Sequence, residues 1–246
     1  MVGARCVVLV QSITSMTYDG RVQPELASAF TLPRLFVIGD SISLHYDPHL
    51  QEAVSGKFSY ARKRDESDGH GTSLDYPHGP FGENAGDSSM VLTYLRARPA
   101  AVATADVVLL NCGLHDLKVD KVAGSHQVPP ESFRDNLARI TALMVASGKR
   151  WAWCSTTPVD DATHARHGAD LAFRRAEADV QRYNDLAHGI MAAAGVPVFD
   201  LHAVTVALAS GRAMADLYAD HVHFKPEVST AQAARIAAWL AASFLE

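Results

Sequence analysis

Four short blocks of this 246-residue chain hold residue types that can carry out acyl chemistry. They are Gly39-Asp40-Ser41, the loop Gly82-Glu83-Asn84-Ala85-Gly86-Asp87-Ser88, Gly113-Leu114-His115-Asp116, and Asp220-His221-Val222-His223. A serine hydroxyl attacks a carbonyl only when a base takes its proton and a third group orients that base. Asp220 and His223 are three residues apart, a spacing that lets a carboxylate face an imidazole across one helical turn and fix its tautomer. His221 does not fit the base role, because the residue three before it is Tyr218. Ser41 follows an apolar run and stands where a strand hands over to a helix. Serine commonly caps such helices. The same position sets its backbone N–H among unused donors at the positive end of the helix dipole, where an oxyanion can bind.

The elements that position these blocks read from the apolar pattern. Leu35–Ile38, Asp106–Asn111, Arg150–Ser155 and Val196–Asp200 are short apolar runs closed by turn residues, the pattern of strands buried on both faces. A fifth strand is expected near Lys57–Arg62. Ser88–Arg98, Glu131–Ser147, residues 170–194 and Ser229–Phe244 carry apolar residues at helical spacing, with Gly195 placed to end the third helix. Alternating strands and helices imply a parallel sheet covered by helices on both faces. Ligands of such sheets bind beyond the carboxyl ends of the strands, and the first and third blocks fall there. Residues 1–33 lack clean periodicity and read as an N-terminal arm or leader, leaving 34–246 as one catalytic domain. The stretch 64–82, with His70 and His78, reads as a long polar loop.

Composition narrows the function. Hydrophobic residues make up 48% of the chain and charged residues 20%, which excludes disorder. With 22 Lys+Arg against 27 Asp+Glu the net charge is -5, which argues against a nucleic-acid or anionic-membrane binder. Cys6, Cys112 and Cys154 show no CxxC spacing, so neither a disulfide framework nor a zinc site is indicated. No apolar run reaches the roughly 18–20 residues of a membrane span. The first ten residues make a poor secretory signal. Cytoplasmic location is the expectation. His45-Tyr46-Asp47-Pro48-His49 looks metal-like, but its spacing is broken by Pro48. His164 and His167 read as solvated loop or helix-start residues. Cys112, Cys154, Trp151 and Trp153 read as core.

Together the blocks resemble those of the SGNH (GDSL-type) hydrolases. Phe36-Val37-Ile38-Gly39-Asp40-Ser41-Ile42 matches the family's first block, with Ile in place of the usual Leu. Asn84-Ala85-Gly86-Asp87-Ser88 resembles the second and Cys112-Gly113-Leu114-His115-Asp116 the third. Asp220-His221-Val222-His223-Phe224 matches the last, continued by Lys225-Pro226-Glu227. Ser155-Thr156-Thr157-Pro158 sits where the family often carries a Thr-Pro. The resemblance covers residues 34–246. It implies a three-layer α/β/α sandwich with a mainly parallel five-stranded sheet, flavodoxin-like in architecture. It also implies catalysis by Ser41, Asp220 and His223. The oxyanion would be held by the N–H groups of Ser41 and Gly86, with no metal and no organic cofactor. The third block departs from the family, carrying His115 where an Asn amide is usual. A neutral imidazole also has one N–H donor, so His115 can serve as the third oxyanion donor.

The expected function is a serine esterase acting through an acyl-enzyme on a small-molecule or carbohydrate ester. The polar loop favours short acyl chains, with O-acetyl on a carbohydrate as a candidate. Acyl transfer to a sugar hydroxyl is the alternative within catalysis, and a non-catalytic flavodoxin-like binding module the alternative outside it. The Gly-x-Ser-x-Gly elbow of α/β-hydrolases is absent. Oligomeric state is not legible.

Overall fold

The computed structural model describes residues 31–64 and 80–245. Residues 1–30 of the expected arm, and most of the polar loop with His70 and His78, lie outside the described residues, as does Cys6.

The main sheet has five parallel strands: β1 (Arg34–Ile38), β2 (Ser59–Arg62), β3 (Val107–Leu110), β5 (Arg150–Cys154) and β7 (Val198–Phe199). Their order is β2-β1-β3-β5-β7. Leu35 pairs with Val107 and Ile38 with Leu110, so β1 and β3 end level with each other. β3 is buried along its whole length, and β1 and β5 are buried except at their first residue. This is why they read as continuous apolar runs rather than alternating ones. β7 is shorter than the expected 196–200 run.

The helices are α1 (Ser41–Ala53), α2 (Ser88–Ala97), α3 (Pro99–Ala103), α4 (Pro130–Ala146), α5 (Asp161–His167), α6 (Glu177–Ala193), α7 (Leu201–Ala209) and α8 (Pro226–Phe244). α1 packs on α8 and α8 on α7, while α2 packs on α4 and α4 on α6. Right-handed crossovers explain the two groups. The chain leaves β1 toward β2 in one direction, then moves from β3 through β5 to β7 in the other, so the connecting helices fall on opposite faces. The strand order therefore switches between β1 and β3, and the crevice at their carboxyl ends is where such folds bind ligands.

Two expectations need correction. The expected helix 170–194 begins only at Glu177. Before it, Phe173–Arg174 forms β6, which pairs antiparallel with β4 (Val119–Asp120) in a small second sheet. The last helix starts at Pro226 rather than Ser229, because proline at a first helical position needs no N–H. The cores of the other expected helices are found, and Gly195, at φ +67°, takes the left-handed conformation that ends α6. Trp151, Trp153, Cys112 and Cys154 are buried, as read from sequence.

Candidate active site

Ser41 is the first residue of α1, and Asp40 caps that helix. The Asp40 carboxylate accepts from Ile42 N–H at 3.0 Å, and its carbonyl accepts from Ser43 Oγ at 2.6 Å. Burial raises the pKa of this carboxyl, against the opposing pull of the Ile42 N–H and the Arg175 charge. Ser41 N–H occupies one of the first-turn positions whose donor the helix itself does not use.

His223 Nε2 lies 2.9 Å from Ser41 Oγ, and His223 Nδ1 lies 2.7 Å from Asp220 Oδ2. An ionised carboxylate only accepts, so the ring proton sits on Nδ1 and the Nε2 lone pair faces the serine hydroxyl. Asp220 Oδ1 accepts from Val222 N–H at 2.8 Å and from His223 N–H at 2.7 Å, which shapes the turn. Burial opposes ionisation of Asp220. The His223 ring and the two backbone donors outweigh it and hold the carboxyl well below the usual range. His223 is buried, and the His45 ring stacks on it at 4.5 Å between centroids and 8° between planes. His221 stands edge-on to His223, and its Nδ1 is 3.5 Å from Asp220 Oδ1. Burial, reinforced by the Arg175 charge, pushes its pKa down to about 4. Of the two histidines, the structure brings His223 between Asp220 and Ser41, while His221 lies to one side.

Ala85 N–H donates to Gly39 O at 3.0 Å, tying the second block to the first. Gly86 has φ +68°, a backbone conformation that favours glycine, and a Cβ there would push aside the flexible Met90 side chain, whose Sδ would lie 2.4 Å away. Its N–H donates to Asn84 Oδ1 at 2.9 Å. The Asn84 Nδ2 is buried and has no hydrogen-bond partner among the described residues. His115 Nδ1 lies 3.2 Å from Lys118 Nζ. An ammonium only donates, so Nδ1 accepts and the one N–H of the neutral ring is at Nε2. Asp116 reaches back to the start of α2, accepting from Ser88 N–H at 2.9 and 3.1 Å and from the Ser88 hydroxyl.

Ser41, His115, Asp220 and His223 line one cleft of about 390 Å³. Gly86 is not among its lining residues. The cleft also brings in Lys118, Phe173 and Arg175, which the sequence reading did not single out. Arg175 Nε donates to Leu114 O at 2.8 Å, and the Lys118 and Arg175 cations lie 4.8 and 4.9 Å from the Phe173 ring centroid. His164, expected to be solvated, is instead buried at 3% exposure. Its Nε2 accepts from Arg175 N–H at 3.0 Å, so its Nδ1 carries the proton and donates to His221 O at 3.1 Å. One imidazole thus ties the segment carrying Arg175 to the turn carrying His223. The exposed His167 matches the expectation. Among the described residues, no three His, Cys, Asp or Glu side chains are placed to hold a metal ion. No helix of the described residues is long and apolar enough to cross a membrane.

No protein-family model matches the sequence, and no curated protein matches it. Solved structures do match. A lipase/acylhydrolase from Enterococcus faecalis superposes with a TM-score of 0.61 at 14% identity, covering 86% of this chain and 97% of that one. A GDSL-like lipase from Bacteroides thetaiotaomicron gives 0.61 at 14% identity, over 86% and 89%. An acetyl xylan esterase gives 0.58 at 13% identity, over 84% and 99%. The chain has the α/β fold of the GDSL-like lipases and acylhydrolases.

Proposed function

We propose that this chain is an SGNH-type serine hydrolase that cleaves short-chain acyl esters, with O-acetyl groups on a carbohydrate as the leading candidate. The observation that carries this reading is the continuous contact from Ser41 Oγ through the His223 ring to Asp220 at the mouth of the β1–β3 crevice. Ser41 Oγ attacks the ester carbonyl carbon while His223 Nε2 takes its proton. Asp220 stays ionised, holds the ring and stabilises the imidazolium. The carbonyl oxygen, now negative, is met by the N–H groups of Ser41 and Gly86 and by His115 Nε2–H. For Gly86 this requires the Asn84 carbonyl to share or release its N–H. His223 then gives the proton to the departing alcohol, and water, activated by the same ring, releases the acid. No step calls on a metal or organic cofactor.

A cleft of this size falls within the usual range for small-molecule sites, and Leu171, Phe173 and Val222 give its otherwise ionisable lining an apolar wall that suits a short acyl chain. The acetyl xylan esterase among the structural likenesses supports the same choice of acyl group. The test has two parts. A fluorophosphonate probe should label Ser41 in the wild-type protein and nothing in Ser41→Ala. A nitrophenyl ester series should be turned over fastest at two to four carbons. Labelling of another serine, or a preference for long chains, sinks the corresponding half of the reading. Product analysis with added acceptor alcohols separates hydrolysis from acyl transfer.

A further inference from the structure

Two cations stand in the cleft with the triad, and among the described residues neither forms an ion pair with a carboxylate. Arg175 is 6% exposed. Its Nε is engaged by Leu114 O, but its Nη1 is buried and has no hydrogen-bond partner. Lys118 touches His115 and the Phe173 ring. Buried charges are normally paired, and a guanidinium removed from water without an acceptor is costly. The Phe173 ring face and the more distant Asp40 and Asp220 charges offset part of that cost, but burial outweighs them. Burial and the Arg175 charge also push the Lys118 ammonium down to about 8, so the two cations disfavour each other as they stand. A buried donor without a partner among the described residues, on a side chain that lines the nucleophile's cleft beside a second cation, is an arrangement that an anionic ligand group would complete.

We propose that Lys118 and Arg175 form a subsite for a carboxylate carried by the ester substrate. This rests on the esterase reading of the same cleft. A guanidinium presents a planar fork that fits a carboxylate, and the ammonium adds a second, mobile donor. An oxyanion exists only during the reaction, whereas two fixed charges call for an anion present in the bound substrate. The carboxylate belongs to either the alcohol or the acyl side of the ester.

Two matched pairs distinguish these sources in the full-length protein. For the alcohol side, 4-acetoxybenzoate is compared with 4-acetoxybenzamide. For the acyl side, phenyl hydrogen glutarate is compared with its neutral amide. One pair should show a preference for the anionic ester of at least about tenfold in kcat/KM, expressed in KM. Arg175→Gln and Lys118→Gln should bring that preference toward unity, and Arg175→Lys should keep part of it. Equal turnover within both pairs overturns the subsite. So do variants that slow both members of a pair alike, since that marks an oxyanion or structural role. A calorimetric titration of Ser41→Ala with benzoate and glutarate, each against its neutral amide, reads the subsite without catalysis. Carboxylate binding that Arg175→Gln weakens at least about tenfold upholds the subsite even if no ester is cleaved, and in that case the esterase reading alone falls. Binding of neither carboxylate overturns the subsite.

Discussion

In the proposed mechanism Ser41, His223 and Asp220 act as one unit, so the effects of their removal should not add. Ser41→Ala should lower kcat by about 10⁴–10⁶-fold, and Ser41→Ala/His223→Ala should be little worse than either single variant. Steady-state rates on folded protein, checked by thermal melting, decide this. Near-wild-type turnover in pure Ser41→Ala removes the nucleophile. His221→Ala should be milder than His223→Ala, because His221 reaches Asp220 only at 3.5 Å, whereas His223 stands between Asp220 and the Ser41 hydroxyl. His115 is the residue where the chain leaves the pattern it resembles. If its Nε2–H meets the oxyanion, His115→Ala should lower kcat by about 10²–10³-fold, roughly 2.7–4 kcal/mol, with little change in KM. His115→Asn should recover part of that, limited by a reach error of about 1 Å. A His115→Ala enzyme with unchanged kcat leaves the backbone donors alone at the oxyanion and turns attention to the buried, unpartnered amide of Asn84.

Asp116 ties the third block to the start of α2, where its carboxylate accepts from Ser88 N–H beside the cap residue Asp87. The helix N-terminus favours a negative charge. Burial outweighs this and the Ser88 hydrogen bonds, and pushes the Asp116 pKa up from 3.8 to about 7. The folded state therefore holds this proton more tightly than the unfolded chain. The stability this provides is full below the unfolded value and is lost as pH rises toward about 7. The melting temperature should carry this downward slope between about pH 4 and 7, and Asp116→Asn should flatten it. The difference should be several degrees, at roughly 2–4 °C per kcal/mol for a chain of this size. Parallel melting curves across that range would show that Asp116 titrates alike in the folded and unfolded chains. The elements themselves were unevenly legible. β1, β3 and β5 announced themselves because strands buried on both faces must be apolar throughout. β4 and β6 have two residues each, too few to show any period, so Phe173 and Arg174 were absorbed into the helix that follows.

The sheet order brings together groups that lie far apart in the chain, Ser41 and His223 being 182 residues apart. The proposed triad reads from the sequence because its signals are local: a serine after a buried strand, and an Asp and His three residues apart, which the structure brings together. The cationic side of the cleft was not, because Lys118 and Arg175 carry no spacing that separates a buried cation from a surface one. The β4–β6 pairing and the His164 bridge hold their segments beside Ser41 and His223, and contacts to Leu114 and His115 fix the side chains. Their joint action has a pH signature. Lys118 is charged below about 8 and neutral above it. The groups that act on it are Arg175, which disfavours the charge, Asp40, Asp87 and Asp116, which favour it, and His115, which it touches. Arg175, pushed down by burial to about 10, keeps its charge across this range. A carboxylate ligand is ionised throughout. Affinity for the anionic ester should therefore fall as pH rises from 7 to 9, read as a rising KM, and should level off at the part Arg175 still holds. The neutral partner ester should show no such step in KM. In Lys118→Gln the step should vanish while the residual preference persists. A step that survives in Lys118→Gln would assign the titration to another group and leave Arg175 as the sole anchor for the carboxylate.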